Sequence, residues 1–217
     1  MKSKQNQFDF DFIGKAVLFS LLSYTQNNFG NCRFDSFGSD QWAYAVSGNT
    51  MFIAIAGTND RNDVCNELKF HPSKLDGVGL VHSGFMNGAK NVQKYTLGIV
   101  HHAVQNNLAV VICGHSYGGI VAQILAEIFI RQYNDYNISS ISFGSPRGFS
   151  TFAKVIAKHI RCVIDDDPVP LTPFLFGFYR HRETQNLKIK TRGVYSFDDH
   201  EIKTYITQIE RLKNEAS

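Results

Sequence analysis

The sequence is poor in the residues that announce several kinds of protein. Its four cysteines, Cys32, Cys65, Cys113 and Cys162, lie far apart, with no CxxC pair and no histidine at ligand spacing. This argues against a zinc site and against a disulfide-dense scaffold, and leaves buried free thiols as the reading. Prolines number five, and no low-complexity tract, internal repeat or Pro-rich linker marks a place to divide the chain. Its 217 residues suit one sizeable core, so a single domain over residues 1–217 is expected. Excess charge is also lacking: 22 Lys and Arg against 19 Asp and Glu leave a scattered +3, which sets nucleic acid aside as a partner. No window approaches the roughly 18 apolar residues that span a bilayer. Lys2 and Lys4 precede a polar, acidic and aromatic stretch, Gln5 to Asp11, and the apolar run Ala16 to Leu22 is short, contains Ser20 and lacks a small-residue cleavage site. The expectation is a soluble protein with no transmembrane segment, cytoplasmic or exported without a cleaved Sec signal.

What the chain does have is an alternation of two hydrophobic periods. Phe12, Ile13, Ala16, Val17, Leu21 and Tyr24 predict a helix over 12–24, ended by the Asn- and Gly-rich segment from Gln26 to Asp40. Trp42 to Val46 and Met51 to Ala56 read as strands joined by a hairpin turn at Ser47-Gly48-Asn49. Phe85, Val92, Ile99 and Ala103 predict a long helix over 83–106. Leu108 to Cys113 is a continuous apolar run, as expected of a strand buried on both faces of a parallel sheet. A helix apolar over most of its circumference follows, marked by Ile120, Val121, Ile124, Leu125, Ile128 and Phe129. Ile138 to Phe143 and Ile160 to Ile164 read as two more strands, with a helix at about Ser150 to Ala157 between them. A last helix carries Ile202, Tyr205, Ile206, Ile209 and Leu212. The pattern is that of an α/β protein with a mainly parallel sheet flanked by helices.

At the centre stands Gly114-His115-Ser116-Tyr117-Gly118-Gly119, between the buried strand and the buried helix. That context is the one a nucleophile elbow requires. In such a turn the serine backbone is strained, and side chains two residues before or after it would strike the neighbouring helix and strand. Gly114 and Gly118 remove them. The turn lifts the hydroxyl to the carboxyl edge of the sheet and aims a helix N-terminus at developing negative charge.

Five blocks, in order, resemble the class 3 lipases, the fungal-lipase-like branch of the α/β-hydrolase fold. They are Ile55-Ala56-Gly57-Thr58, Val81-His82-Ser83-Gly84-Phe85, the Gly114 to Gly119 block, Phe143-Gly144-Ser145-Pro146-Arg147, and Asp167-Pro168-Val169-Pro170. The resemblance extends over about residues 50–200. Ala56 stands where the family usually has Arg, so whatever that Arg holds in place is held differently here. Gly148-Phe149-Ser150 departs from the family's continuation after Arg147, and the chain is short for a fungal lipase.

Read with that resemblance, Ser116 is the expected nucleophile and needs a base oriented by a carboxylate. The order Ser, acid, His in this fold leaves two of the eight histidines, His181 and His200. His200, between the last strand region and the last helix, is favoured; His181 reads as a strand residue in a structural place. Among Asp165, Asp166 and Asp167, strand alternation puts the outer two on one face. The D-x-V-P block selects Asp167, with the other two as fallbacks. The oxyanion hole is expected from the backbone N–H of Tyr117 and, by resemblance, from Thr58.

The apolar segment holding Phe174, Leu175 and Phe176 is expected to line an acyl pocket, to form a surface that meets lipid, or to be plain core. Asn59 to Phe70, where fungal lipases carry a lid, is mostly polar, which predicts a small lid or none. The implied activity is hydrolysis of carboxylic esters of acyl lipids without metal or organic cofactor, with any lipid contact peripheral. The alternatives are a catalytically silent scaffold that binds a lipid or a protein, or the same triad acting on phospholipids or thioesters. Natural substrate and oligomeric state are left open.

Overall fold

The structure, a computed structural model, describes residues 8–57, 71–134, 137–173, 179–191, 193 and 195–216. Helix α1 (Phe10–Leu22) starts at Asp9, whose carboxylate caps the N–H of Phe12. Strands β1 (Arg33–Phe37), β2 (Asp40–Ser47) and β3 (Thr50–Ile55) form an antiparallel meander. Gly48, at φ +60°, and Asn49 make the turn between the last two. Then come β4 (Pro72–Leu75), β5 (Gly79–His82), the long α2 (Ser83–Gln105), β6 (Ala109–His115), α3 (Tyr117–Tyr133), β7 (Ile138–Phe143), β8 (Phe149–Ser150) and β9 (Lys158–Ile164). Strands β10 (Tyr179–Arg180) and β11 (Gln185–Ile189) and helix α4 (Ile202–Ala216) follow, with short 3-10 turns at Val169–Leu171 and Phe197–His200.

Seven of the strands form one sheet in the order β1-β2-β3-β6-β7-β9-β11. From β3 to β11 every pairing is parallel. This is the α/β-hydrolase arrangement, a mainly parallel sheet between helices. The period of two along the central strands sorts their side chains between two faces. Met51, Ile53, Ile55, Val110 and Ile112 face α2 and α3, among Phe85, Val92, Leu125 and Phe129. Phe52, Ala54, Val111 and Cys113 face α1 and α4, among Ile13, Val17, Tyr205 and Ile209. The register sets Ile55 beside Gly114 and His115 beside Phe143, so three strands end at one level of the carboxyl edge.

Two sequence expectations need correction. No helix forms at Ser150 to Ala157. The chain instead adds β8 to a small antiparallel sheet ordered β10-β8-β5-β4 and then runs extended. Its amides find other partners: Lys154 N donates to Val78 O, and Ile156 N and Ala157 N donate to the Glu127 carboxylate, 3.0 and 2.8 Å away. Glu127 is fully buried on α3 and also paired with Arg131, so it captures the amides a helix would have kept for itself. The second correction lies within Gln26 to Asp40, where Arg33–Phe37 is an edge strand on β2.

Two of the buried histidines belong to strands of the large sheet. His159 is 1% exposed, its ring nitrogens 2.8 and 3.0 Å from Ser140 Oγ and Ser142 Oγ. Burial, with the nearby positive charges of His181 and Arg161, pushes its pKa down to about 3. His115, at the end of β6, is 6% exposed and is likewise pushed down to about 3, by burial first and then by the charge of His200. Both are depressed below the ordinary value near 6.5, so the unfolded chain binds more protons than the folded one between those limits. The stability these rings contribute is complete above about pH 6.5 and is lost as pH falls toward 3, at up to roughly 1.4 kcal/mol per pH unit for each ring. Urea unfolding at about pH 7 and about pH 5 is expected to show a loss of roughly 2–4 kcal/mol on acidification. An unchanged unfolding free energy would mean that the rings titrate freely in the folded state.

Candidate active site

Strand β6 ends at His115, α3 begins at Tyr117, and Ser116 between them has φ 56° and ψ −129°. The turn is held by Ser116 N, which donates to Phe143 O on β7 at 2.9 Å, and by Gly119 N, which donates back to Ser116 O at 3.0 Å. Its packing leaves no room for side chains. A Cβ at Gly114 would lie 2.4 Å from the Gly118 carbonyl, and one at Gly118 would lie 2.1 Å from Ile55 O at the end of β3. Ala56 carries its backbone to within 2.7 Å of that same Gly118 position, and its N–H is bound to Gln41 O on β2.

The structure brings Ser116, His200 and Asp167 together from three separate parts of the chain. His200 Nε2 lies 2.9 Å from Ser116 Oγ, and His200 Nδ1 lies 2.8 Å from Asp167 Oδ2. A carboxylate only accepts, so Nδ1 carries the proton and Nε2 is left to accept from the serine. Asp167 is fully buried at its side chain, and its remaining capacity is filled: Tyr205 Oη donates to Oδ2 at 2.7 Å, and Val169 N donates to Oδ1 at 2.9 Å. Burial, followed by the charge of Asp167, holds the Tyr205 phenol far above its ordinary pKa, so it remains a donor. Tyr205 Oη in turn accepts from Ile164 N at 3.2 Å.

The other candidate residues sit elsewhere. Asp165 is exposed; Asp166 is buried and binds Gly193 N and the Thr191 hydroxyl, which ties down the segment leading to His200. His181 Nε2 donates to Pro170 O at 2.7 Å, beside the Arg161 guanidinium. The N–H of Tyr117 belongs to the first turn of α3, and its side chain is anchored by Asp40, whose other oxygen accepts from Asn91. Thr58, the Asn59 to Phe70 segment, and Phe174, Leu175 and Phe176 lie outside the described residues.

Three site residues escaped sequence reasoning. Tyr205 and Tyr24 stood only among apolar helix positions, and His115 was considered only as a base. A tyrosine in a buried helical stripe carries a hydroxyl that requires a partner, which is the signal that could have singled out the first two.

Gly144, after β7, has φ +60°, and a Cβ there would lie 2.7 Å from Asp167 Oδ2 and 3.1 Å from His200 Nδ1. Gly144→Ala is therefore expected to push imidazole and carboxylate apart and to lower kcat on an activated ester by roughly 10²-fold or more. Circular dichroism would verify that the variant is folded. Near-normal kcat would mean that the pair does not need this close packing.

No curated protein matches the chain. Among solved structures, it is similar to the triacylglyceride lipase of Rhizomucor miehei, with a TM-score of 0.70 and 18% identity over 86% of this chain and 81% of that one. It is similar to the lipase of Rhizopus microsporus var. chinensis, with a TM-score of 0.70 and 21% identity over 90% of this chain and 77% of that one. A third likeness is to a triacylglycerol lipase whose catalytic centre is a serine protease triad, at a TM-score of 0.68 and 18% identity over 86% and 81% of the two chains. At such identities these likenesses speak for the fold. The sequence model of the family described as Lipase (class 3) matches residues 52–177, more than half of the chain. The chain thus belongs to the class 3 lipases, a family of carboxylic ester hydrolases.

Proposed function

We propose that the protein hydrolyses carboxylic esters of acyl lipids through an acyl-enzyme on Ser116. The observation that carries this reading is the chain of contacts from Asp167 through His200 to Ser116 Oγ, at 2.8 and 2.9 Å. His200 Nε2 takes the hydroxyl proton as Oγ attacks the ester carbonyl, and Asp167 stabilises the resulting imidazolium. His200 then returns that proton to the departing alcohol as the C–O bond breaks. A water molecule, deprotonated by the same nitrogen, attacks the acyl-enzyme, and the carboxylic acid leaves with Ser116 restored.

The negative charge of each tetrahedral intermediate falls to the N–H of Tyr117, at the start of α3, and in this reading to Thr58. One such donor contributes roughly 10²–10³-fold in kcat. Phe174, Leu175 and Phe176 are assigned to the acyl chain. Peripheral contact with lipid is supported by Leu171, Tyr195 and Phe197, which are 44, 65 and 52% exposed and flank Asp167 and His200 in the chain. Among the described residues no helix is long and apolar enough to cross a membrane.

A fluorophosphonate probe tests the assignment. The wild-type protein is expected to be labelled at one site and to lose ester hydrolysis in proportion, whereas Ser116→Ala takes up no label. Persistent labelling of Ser116→Ala would place the nucleophile elsewhere; an unlabelled wild type would point to a silent binding scaffold.

A further inference from the structure

One buried side chain at the site has no part in these proton transfers. The ring of His115 lies with its centroid 4.6 Å from that of His200. Its Nε2 is 2.6 Å from the main-chain carbonyl oxygen of His200. A carbonyl only accepts, so Nε2 carries the proton. The ring is neutral, its pKa held down at about 3 by burial and by the charge of His200, and Nδ1 is therefore an acceptor. Facing Nδ1 at 2.9 Å is the hydroxyl of Tyr24, which must donate to it. Burial raises the pKa of that phenol, so it keeps its proton. The same oxygen accepts from Gly57 N at 2.8 Å. Each proton of the chain Gly57, Tyr24, His115, His200 thus has one allowed place. The fit is close as well, since a Cβ on Gly57 would lie 2.4 Å from Tyr24 Oη and 3.1 Å from Ser116 Cβ.

We propose that His115 is a positioning residue: together with Tyr24 it ties the main chain of His200 to the main chain at Gly57, so that the base and the chain leaving β3 at Gly57 are held in one geometry around Ser116. His200 needs such a tie, because it closes a single short turn, Phe197–His200, that has no buried residue of its own. Histidine also suits the place electrically. When His200 becomes a cation, a lysine or arginine at 115 would oppose it, whereas a neutral imidazole offers a donor without charge. An aliphatic residue would leave the His200 carbonyl and the Tyr24 hydroxyl without this partner.

The inference rests on the proposed roles of Ser116 and His200, and the test separates the two. His115→Phe, which keeps ring bulk and removes both bonds, is expected to lower kcat on a soluble short-chain ester by roughly 10- to 100-fold, with KM within about twofold because no substrate contact changes. His115→Gln, whose amide supplies a donor and an acceptor, is expected to recover much of that loss. Tyr24→Phe deletes one oxygen, and a kcat loss of about 3- to 10-fold is expected. It decides the matter if His115→Phe fails to melt cooperatively. Normal kcat in the folded variants beside an inactive Ser116→Ala would overturn the positioning role and leave the triad standing. Full activity in Ser116→Ala would overturn the underlying reading instead.

Discussion

A serine with φ 56° occupies backbone space that costs on the order of 1–3 kcal/mol and persists only where the surroundings leave no alternative. Here they leave none. Ser116 is strapped to β7 by its own N–H, and α3 is pressed so closely on the end of β3 that only glycine fits at 118. This strained bend is what sets the hydroxyl at the carboxyl edge of the sheet. The parallel register then decides what else arrives there. Strands β3, β6 and β7 end at one level, and the loops after β9 and β11 return over that edge with Asp167 and His200.

Around the bend, polar groups are buried in numbers that an apolar core would not tolerate without partners, and each of those at the site has them. Asp167 receives three donors, from His200, Tyr205 and Val169. Because Tyr205 and Val169 also hold the carboxylate, it does not rely on the imidazole alone for partners. His115 extends the same logic to the main chain, where a ring kept neutral by burial holds the carbonyl of His200, the residue that carries positive charge in the proposed mechanism. Preorganised dipoles of this kind act without reorganising as charge develops.

Much of this was legible in the sequence, and for identifiable reasons. Central strands and long helices were readable because continuous apolar runs such as Leu108 to Cys113, and three- and four-residue steps such as those of α2, report burial directly. The small second sheet was not. Strands β8 and β10 are two residues long, and β4 is four residues with one of them buried, so none has a period to read. The missing helix at Ser150 to Ala157 turned on Glu127, a residue more than twenty positions earlier whose carboxylate only the fold brings near. The site divides the same way. Gly114 and Gly118 announce the bend locally, and Ser116, Asp167 and His200 follow from motif and order. Tyr24, His115 and Tyr205 act through contacts between distant segments, and no local pattern encodes those.

The most direct measurement is a crystal structure of the protein after reaction with a phosphonate ester. The account predicts phosphorus bonded to Ser116 Oγ, the His200 ring still bound to Asp167, and the phosphonyl oxygen resting on the N–H of Tyr117. Phosphorus on another residue, or a His200 ring turned out into solvent away from the adduct, would contradict it.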